Sequence, residues 1–177
     1  DPVDGTKEFI KKNGEFTINI ALVEDGVPTT GCVYAPALER IFIGGTRALA
    51  GPARPGARLD EAALSVITVR TPPPSGKTAV MSRSHADDDT KAFAERQGVT
   101  EAISAGSSLK FCKVAEGAAD LYPRFAPTME WDTGAGHAVL AAAGGRVTNP
   151  DGTKFRYAKT ETGYRNGAFI AWGYDPD

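Results

Sequence analysis

Residues 16–34 read FTINIALVEDGVPTTGCVY, and this stretch decides the fold of the first half of the chain. Apolar and polar residues alternate on both sides of a Glu-Asp-Gly turn, which is typical of an antiparallel hairpin. Another strand is expected at residues 40–44, after the turn at residues 35–37, so the pattern predicts a β-meander. Residues 51–56 hold two prolines and two glycines and predict a loop, and residues 65–70 predict a further short strand.

Beyond residues 71–76, which contain three consecutive prolines and are expected to form a linker, predicted helices and strands alternate. Capping and periodicity signals place helices at residues 87–97, from Ser107 or Ser108 to about residue 118, and at 133–143. Shorter runs predict strands at residues 78–81, 119–122, 146–148 and 168–172, and a strand or turn at 100–105. The sequence therefore predicts a β-meander layer followed by an α/β layer.

The bulk composition narrows the classes of function that the chain can have. Its 177 residues carry a formal net charge of -2, so there is no broad basic field to bind a nucleic-acid polymer. No stretch approaches the roughly 20 consecutive apolar residues of a membrane span, and no segment resembles a secretion signal, so a cytoplasmic location is expected. Cys32 and Cys112 lack the spacing of a zinc site and are expected to be free, buried thiols.

The chain opens on Asp1-Pro2-Val3-Asp4-Gly5-Thr6, which places two carboxylates on either side of a stiffening proline. Mg²⁺ takes oxygen ligands, usually one or two carboxylates together with water and substrate phosphate. Asp1 and Asp4 can supply such carboxylates, and Val3 can supply its carbonyl oxygen. The Gly5 and Thr6 amides, with the Thr6 hydroxyl, can hold a phosphate oxygen or an attacking water. The same residues also suit a solvated turn, and the motif alone does not decide between the two.

A further acidic position, Asp132, lies just before the predicted helix at residues 133–143. Its carboxylate can cap that helix or point to a metal ion, and a cap is the commoner use of an isolated aspartate there. Trp131 is expected to be a packing residue. His137 lies within an apolar helical run and is expected to be structural rather than a ligand.

Together, the two acidic segments resemble the inositol monophosphatase superfamily, whose members join a DPxDGT loop and a later WDxAAG segment in one magnesium site. The flanking residues resemble its 3'(2'),5'-bisphosphate nucleotidase branch, and the resemblance covers nearly the whole chain. One departure is Gly134, where the family usually has alanine. The resemblance is carried by residues 5–9, 82–85, 106–112, 119–125 and 131–139.

The resemblance implies the layered α/β (α+β) sandwich of the sugar-phosphatase superfamily. Residues 1–75 are expected to be the remainder of an N-terminal antiparallel-sheet half, and residues 76–177 the C-terminal α/β half. The active site is expected at their junction. Family members carry further acidic residues upstream of the DPxDGT loop, so residues are expected to precede Asp1 in the functional protein. Activity of this stretch alone therefore does not follow from the resemblance.

The resemblance also implies a phosphatase that uses two or three Mg²⁺ ions, with Asp1, Asp4 and Asp132 as ligands and Thr6 orienting the attacking water. The expected substrate is adenosine 3',5'-bisphosphate, which would be converted to AMP and phosphate, and lithium is expected to inhibit. In nucleotidases of this branch, the residues that correspond to Ser107, Lys110 and Arg124 of this chain approach the phosphates of the nucleotide. The residue that corresponds to His85 lies near the base. The expected substrate contacts are Gly5, Thr6, His85, Ser107, Lys110, Arg124 and Asp132.

Other interpretations remain open from the sequence. Lys110 and Arg124 can be solvated surface cations, and His85 can be a loop residue without a ligand. A phosphatase of the same superfamily acting on an inositol phosphate or on fructose 1,6-bisphosphate is one alternative. A noncatalytic nucleotide-binding module and a purely structural domain are two more, and a homodimer is also left open.

Overall fold

The predicted hairpin is present in the computed structural model, which describes residues 1–81 and 87–176. Asp25 and Gly26 form its turn with positive φ angles of 50° and 74°, a conformation that matches the twist of the flanking strands. The hairpin strands continue into a five-stranded antiparallel sheet in which spatial order follows chain order. The strands are β1 (Ile18–Glu24), β2 (Val27–Ala35), β3 (Arg40–Gly44), β4 (Ala48–Pro52) and β5 (Ser65–Val66).

The second sheet is mixed and also has five strands, in the order β10-β12-β8-β6-β7. Strand β6 runs parallel to both of its neighbours, and the remaining pairs are antiparallel. Its strands are β6 (Lys77–Val80), β7 (Val99–Ile103), β8 (Leu121–Arg124), β10 (Arg146–Thr148) and β12 (Phe169–Trp172). A separate two-stranded ribbon, which the sequence did not predict, pairs β9 (Thr128–Met129) with β11 (Arg165–Asn166).

Two helices lie between the sheets and one lies on the far face of the second sheet. The interlayer helices are α3 (Leu109–Ala115) and α4 (Glu130–Ala142), and the outer one is α2 (Asp88–Arg96). A further short helix, α1 (Thr6–Ile10), follows the opening loop and was not predicted. The predicted layered α/β arrangement is therefore confirmed, with the order sheet, helices, sheet, helix.

The interlayer helix α4 approaches the first sheet closely because two strand glycines face it. A Cβ built on Gly31 would lie 2.4 Å from the Ala135 carbonyl oxygen, and one built on Gly44 would lie 2.5 Å from the Ala138 carbonyl oxygen. The core continues through the helices into the second sheet, so both sheets share one buried cluster. Its large, fully buried members include Phe42, Phe111, Val139 and Phe169.

Three sequence predictions of element bounds are wrong. Strand β4 occupies the start of the predicted loop at residues 51–56, and only two residues of the predicted strand at 65–70 pair with β4. Helix α4 begins at Glu130 rather than at Thr133. The division into halves at about residue 75 stays a prediction, although α4, from the second half, packs on the first sheet.

Candidate metal centre and phosphate site

The opening loop is held against the start of the first sheet by backbone hydrogen bonds. Asp4 and Thr17 exchange both of theirs, at 2.8 and 2.9 Å, as an isolated antiparallel bridge. The Asn19 amide donates to the Asp1 carbonyl at 2.8 Å, and the Val3 amide donates to Asp1 Oδ1 at 2.9 Å. The loop therefore lies alongside the start of β1 as an antiparallel neighbour, and the sheet places its two carboxylates.

Gly5 is required where the opening loop meets the segment before α3. Its φ of 91° lies in the left-handed region, and a Cβ at this position would lie 1.9 Å from Ser107 Oγ. Ser107 itself has a φ of 49°, and its hydroxyl donates to the Asp4 carbonyl at 2.9 Å. Two distant parts of the chain therefore touch here through backbone and one hydroxyl.

Asp132 reaches the same place from the first turn of α4. Its carboxylate Oδ2 accepts a hydrogen bond from the Met129 amide at 2.8 Å, which satisfies a donor just before the helix. The sequence analysis expected Asp132 before the helix, whereas it is the third helical residue. Capping the helix and binding a cation are thus not alternatives for Asp132, because Oδ2 makes the capping hydrogen bond and the carboxylate has a second oxygen.

The Asp1, Asp4 and Asp132 side chains converge, with one oxygen from each carboxylate within 4.8 Å of the others. All three are partly buried. Burial raises the pKa of the Asp132 carboxyl, and the negative charge of Asp4 raises it further. A set of close, partly buried carboxylates with mutual repulsion suits a hard divalent cation such as Mg²⁺. These residues therefore fit the expected metal.

Three neutral side chains that the sequence analysis did not single out surround the Asp4 carboxylate. Oδ2 of Asp4 lies 3.4 Å from Thr17 Oγ1, 3.2 Å from Asn19 Nδ2 and 3.0 Å from Ser108 Oγ. Thr17, Asn19 and Ser108 are all nearly fully buried. Thr17 directly precedes β1 and Asn19 lies within it, so the two side chains share one face of the strand. Hydrophobic alternation gave no signal that this polar face is the inward one.

The expected phosphate-binding cations lie on α3 and at the end of β8. Lys110 is only 9% exposed, and its Nζ donates to the Ser107 carbonyl at 3.1 Å. Burial lowers the pKa of the Lys110 ammonium, and the positive charge of Arg124 lowers it further. Arg124 is partly buried and donates through Nε to the Ala126 carbonyl at 3.1 Å. Lys110 is therefore not the solvated surface lysine of the alternative interpretation.

A model of the inositol monophosphatase family matches residues 1–172. The chain belongs to this family. It is 48% identical over 162 residues to the 3'(2'),5'-bisphosphate nucleotidase CysQ of Salmonella typhimurium, and the aligned part covers 92% of this chain and 62% of that protein. The same values hold for CysQ of Escherichia coli. The chain thus spans less than two thirds of the length of these relatives.

Solved structures of the same family have the same fold. The crystal structure of CysQ from Bacteroides thetaiotaomicron matches with a TM-score of 0.86 and 40% identity, over 99% of this chain and 69% of that one. An inositol monophosphatase from Anabaena matches with a TM-score of 0.73 and 27% identity, over 98% of this chain and 65% of that one. The fold expected from the sequence resemblance is therefore confirmed.

Three more residues were expected at the family site, and the structure describes two of them. Thr6 is exposed at the first position of α1, and the Val3 side chain is 47% exposed. His85 lies outside the described residues, so its expected position near the base stays a prediction. The roles of all these residues stay predictions as well.

The structural predictions beside the site can be judged directly. His137 is buried, with Nδ1 3.1 Å from the Tyr157 hydroxyl, as expected for a structural histidine. Trp131 is 47% exposed, its ring centroid lies 6.4 Å from that of Tyr164, and it lines a groove between β1 and α4, so its assignment as a packing residue stays a prediction. Cys32 and Cys112 are free, but only Cys112 is fully buried. Within the described residues, no helix has the length and apolar character needed to cross a membrane.

Proposed function

We propose that the protein is a magnesium-dependent phosphomonoesterase that hydrolyses the 3'-phosphate of adenosine 3',5'-bisphosphate and releases AMP and phosphate. The observation that carries the proposal is the convergence of the Asp1, Asp4 and Asp132 carboxylates, whose oxygens lie within 4.8 Å of one another. The choice of a nucleotide bisphosphate is supported by the similarity to the CysQ nucleotidases.

In this proposal two or three Mg²⁺ ions are held by the three aspartates, with the Val3 carbonyl as a further oxygen ligand. Bound Mg²⁺ supplies charge stabilisation for the phosphate and for the leaving oxygen. The chain itself keeps the ligand carboxylates in place. Asp4 is held by surrounding donors such as Ser108, and Asp132 is held by the Met129 amide.

Thr6 and Gly5 act on the phosphate that is removed. Their amides hold a phosphate oxygen, and the Thr6 hydroxyl orients the water that attacks phosphorus. The loop backbone is suited to this task because Gly5 packs directly against Ser107, whose hydroxyl donates to the Asp4 carbonyl. Asp4 directly precedes Gly5 in the same loop, so a shift of the turn would also move a ligand.

The second phosphate is bound by the positive charges of the second half. Arg124 lowers the pKa of Lys110, so the two cations are close enough to repel each other, and an anion between them relieves that repulsion. Ser107 connects this pair to the opening loop, because its carbonyl accepts from Lys110 and its hydroxyl donates to Asp4. The family resemblance supports a position of His85 near the base.

The first experiment compares substrates with purified protein, both as the 177-residue chain and as the product of the complete reading frame. Mg²⁺-dependent phosphate release from adenosine 3',5'-bisphosphate should far exceed release from inositol 1-phosphate. The reverse order would overturn the substrate assignment in favour of an inositol phosphatase. Nucleotide binding in a calorimeter without phosphate release from either protein would instead support a noncatalytic binding module.

The second experiment tests the second-phosphate site with Lys110→Ala. Loss of one charged hydrogen bond to phosphate is expected to lower kcat/KM for adenosine 3',5'-bisphosphate by about 10- to 100-fold. Hydrolysis of adenosine 3'-monophosphate, which lacks the second phosphate, should be unchanged. Lys113→Ala is the matched control, because Lys113 lies on the same helix with its side chain 39% exposed and paired with Glu116. An equal loss on both substrates would remove Lys110 from the binding site.

Three further properties accompany the activity: the cellular location, the oligomeric state and the sensitivity to lithium. A cytoplasmic location is proposed from the sequence, and a homodimer is left as a possibility that light scattering on the complete protein would decide. Lithium inhibition is proposed as well, and phosphate release that is insensitive to lithium would contradict it.

A further inference from the structure

Ser108 occupies the position immediately before α3, where a serine normally caps the helix with its hydroxyl. Here it does not. The backbone of Ser108 is already helical, with φ -70° and ψ -8°, and its side chain makes no capping hydrogen bond. The hydroxyl is directed instead toward the acidic cluster, and the residue is 1% exposed. A buried hydroxyl that leaves its local capping role has another use in the structure.

The hydroxyl of Ser108 connects three separate segments. It accepts a hydrogen bond from Asn19 Nδ2 at 2.8 Å, on β1. Two acceptors lie within reach of its single proton, Asp4 Oδ2 at 3.0 Å on the opening loop and the Asp132 carbonyl at 2.9 Å on α4. Because the Asn19 amide occupies a lone pair of the hydroxyl, the proton must point to one of these two acceptors. With either acceptor, the Ser108 oxygen stays in contact with both the loop and α4 and lies between them.

We propose that Ser108 is a positioning residue of the metal centre that holds the Asp4 carboxylate at its distance and orientation relative to Asp132. The proposal rests on the proposed function, in which both aspartates are metal ligands. Donors behind a ligand carboxylate restrict its rotation, and loss of such a partner typically weakens metal binding by about 10- to 100-fold. The Ser108 hydroxyl contacts Asn19, Asp4 and Asp132, so its proposed contribution is to the placement of the ligands.

The test uses Ser108→Ala, with Mg²⁺ titrated by calorimetry into the 177-residue chain and the complete gene product. We expect the variant to stay folded by circular dichroism and to bind Mg²⁺ about 10- to 100-fold more weakly than the unaltered protein. Thr78→Val is the matched control. Thr78 is also buried, and its hydroxyl contacts Arg70 at 3.0 Å in the second sheet, so its loss perturbs the fold without touching the acidic cluster.

The possible outcomes separate the two proposals. Weaker Mg²⁺ binding in Ser108→Ala with unchanged binding in Thr78→Val supports the positioning role. Equal Mg²⁺ affinity of the unaltered protein and a folded Ser108→Ala variant overturns that role and leaves the metal site standing. Equal weakening in both variants also overturns it, because a general loss of stability would then be the cause. Absence of Mg²⁺ binding by the unaltered complete protein overturns the metal site and the Ser108 proposal together.

Discussion

Replacement of Gly5, which is partly buried, by alanine is expected to damage the opening loop. The new Cβ would lie 1.9 Å from Ser107 Oγ and 3.3 Å from Ser107 Cβ, so the Ser107 side chain has to move. That movement breaks the hydrogen bond from the Ser107 hydroxyl to the Asp4 carbonyl. The backbone would also hold an alanine at a φ of 91°, which L-residues rarely adopt.

The expected loss of stability has two parts. Left-handed backbone at a non-glycine residue costs roughly 1–2 kcal/mol. The displaced Ser107 hydrogen bond contributes about 0.5–1.5 kcal/mol more. Gly5→Ala should therefore lower the free energy of unfolding by about 1.5–3.5 kcal/mol in total. Gly152→Ala isolates the backbone part, because Gly152 has a φ of 84° but nothing within 4 Å of a built Cβ, and it should lose only roughly 1–2 kcal/mol.

The assay is urea unfolding followed by circular dichroism, with the dependence on denaturant checked to be the same in every variant. The informative protein is the double variant Gly5→Ala with Ser107→Ala, in which the overlapping hydroxyl is absent. The decrease in its free energy of unfolding should be smaller than the sum of the decreases in the two single variants, because both single variants lose the same hydrogen bond. Strict additivity, or a Gly5→Ala loss no larger than that of Gly152→Ala, would refute the close packing of these two loops.

Two further predictions concern α4. Burial lowers the pKa of His137 from 6.5 to about 4, so the unfolded chain takes up a proton in this range that the native protein does not, and stability should fall as the pH drops from about 6.5 toward 4. Between about pH 7 and 5 the loss of unfolding free energy should reach up to about 2 kcal/mol. His137→Phe should remove this pH dependence from urea midpoints measured across that range. If the midpoints of the variant fall with pH as steeply as those of the unaltered protein, the burial argument is contradicted. Gly134→Ala should raise the free energy of unfolding by up to about 1 kcal/mol, because alanine favours the helical backbone more than glycine does. The new Cβ would lie 3.3 Å from the Ala21 Cβ, on the edge strand β1, which can shift slightly to make room. A lower urea midpoint for the variant would show that β1 cannot move.

Most element types were predictable from local pattern, whereas α1 and the ribbon of β9 and β11 were not. Two errors in element bounds came from residues that serve two purposes. Gly51 and Pro52 are turn residues by composition, yet they end β4, where Pro52 lies opposite Arg40 at the limit of the ladder. The start of α4 was placed too late because Asp132 was taken as a candidate cap for the residues after it. Its carboxylate caps backward, to Met129, so the helix begins two residues earlier than Asp132 itself.

Strand β1 shows why the surroundings of the site were harder to predict than its acidic residues. Hydrophobic alternation alone would place Ile18, Ile20 and Leu22 inside, and Thr17 and Asn19 outside. In the structure Thr17 is 0% and Asn19 4% exposed, whereas Ile20 is 67% exposed. The inward face of this strand is polar because it borders the carboxylates, and that reversal depends on α4 and the segment before α3, which are distant in sequence.

The same surroundings bear on whether the acidic segments are ordinary turns or a cation site. Exposed aspartates in solvated turns rotate apart, because two ionised carboxylates at about 5 Å repel by a few kcal/mol at an effective dielectric constant of about 20. Here the chain opposes that separation. Buried groups of Asn19 and Ser108 hold the Asp4 carboxylate, and the Met129 amide holds Asp132. Donors that keep repelling carboxylates together are difficult to explain by turn formation alone, and they favour a site arranged for a divalent cation.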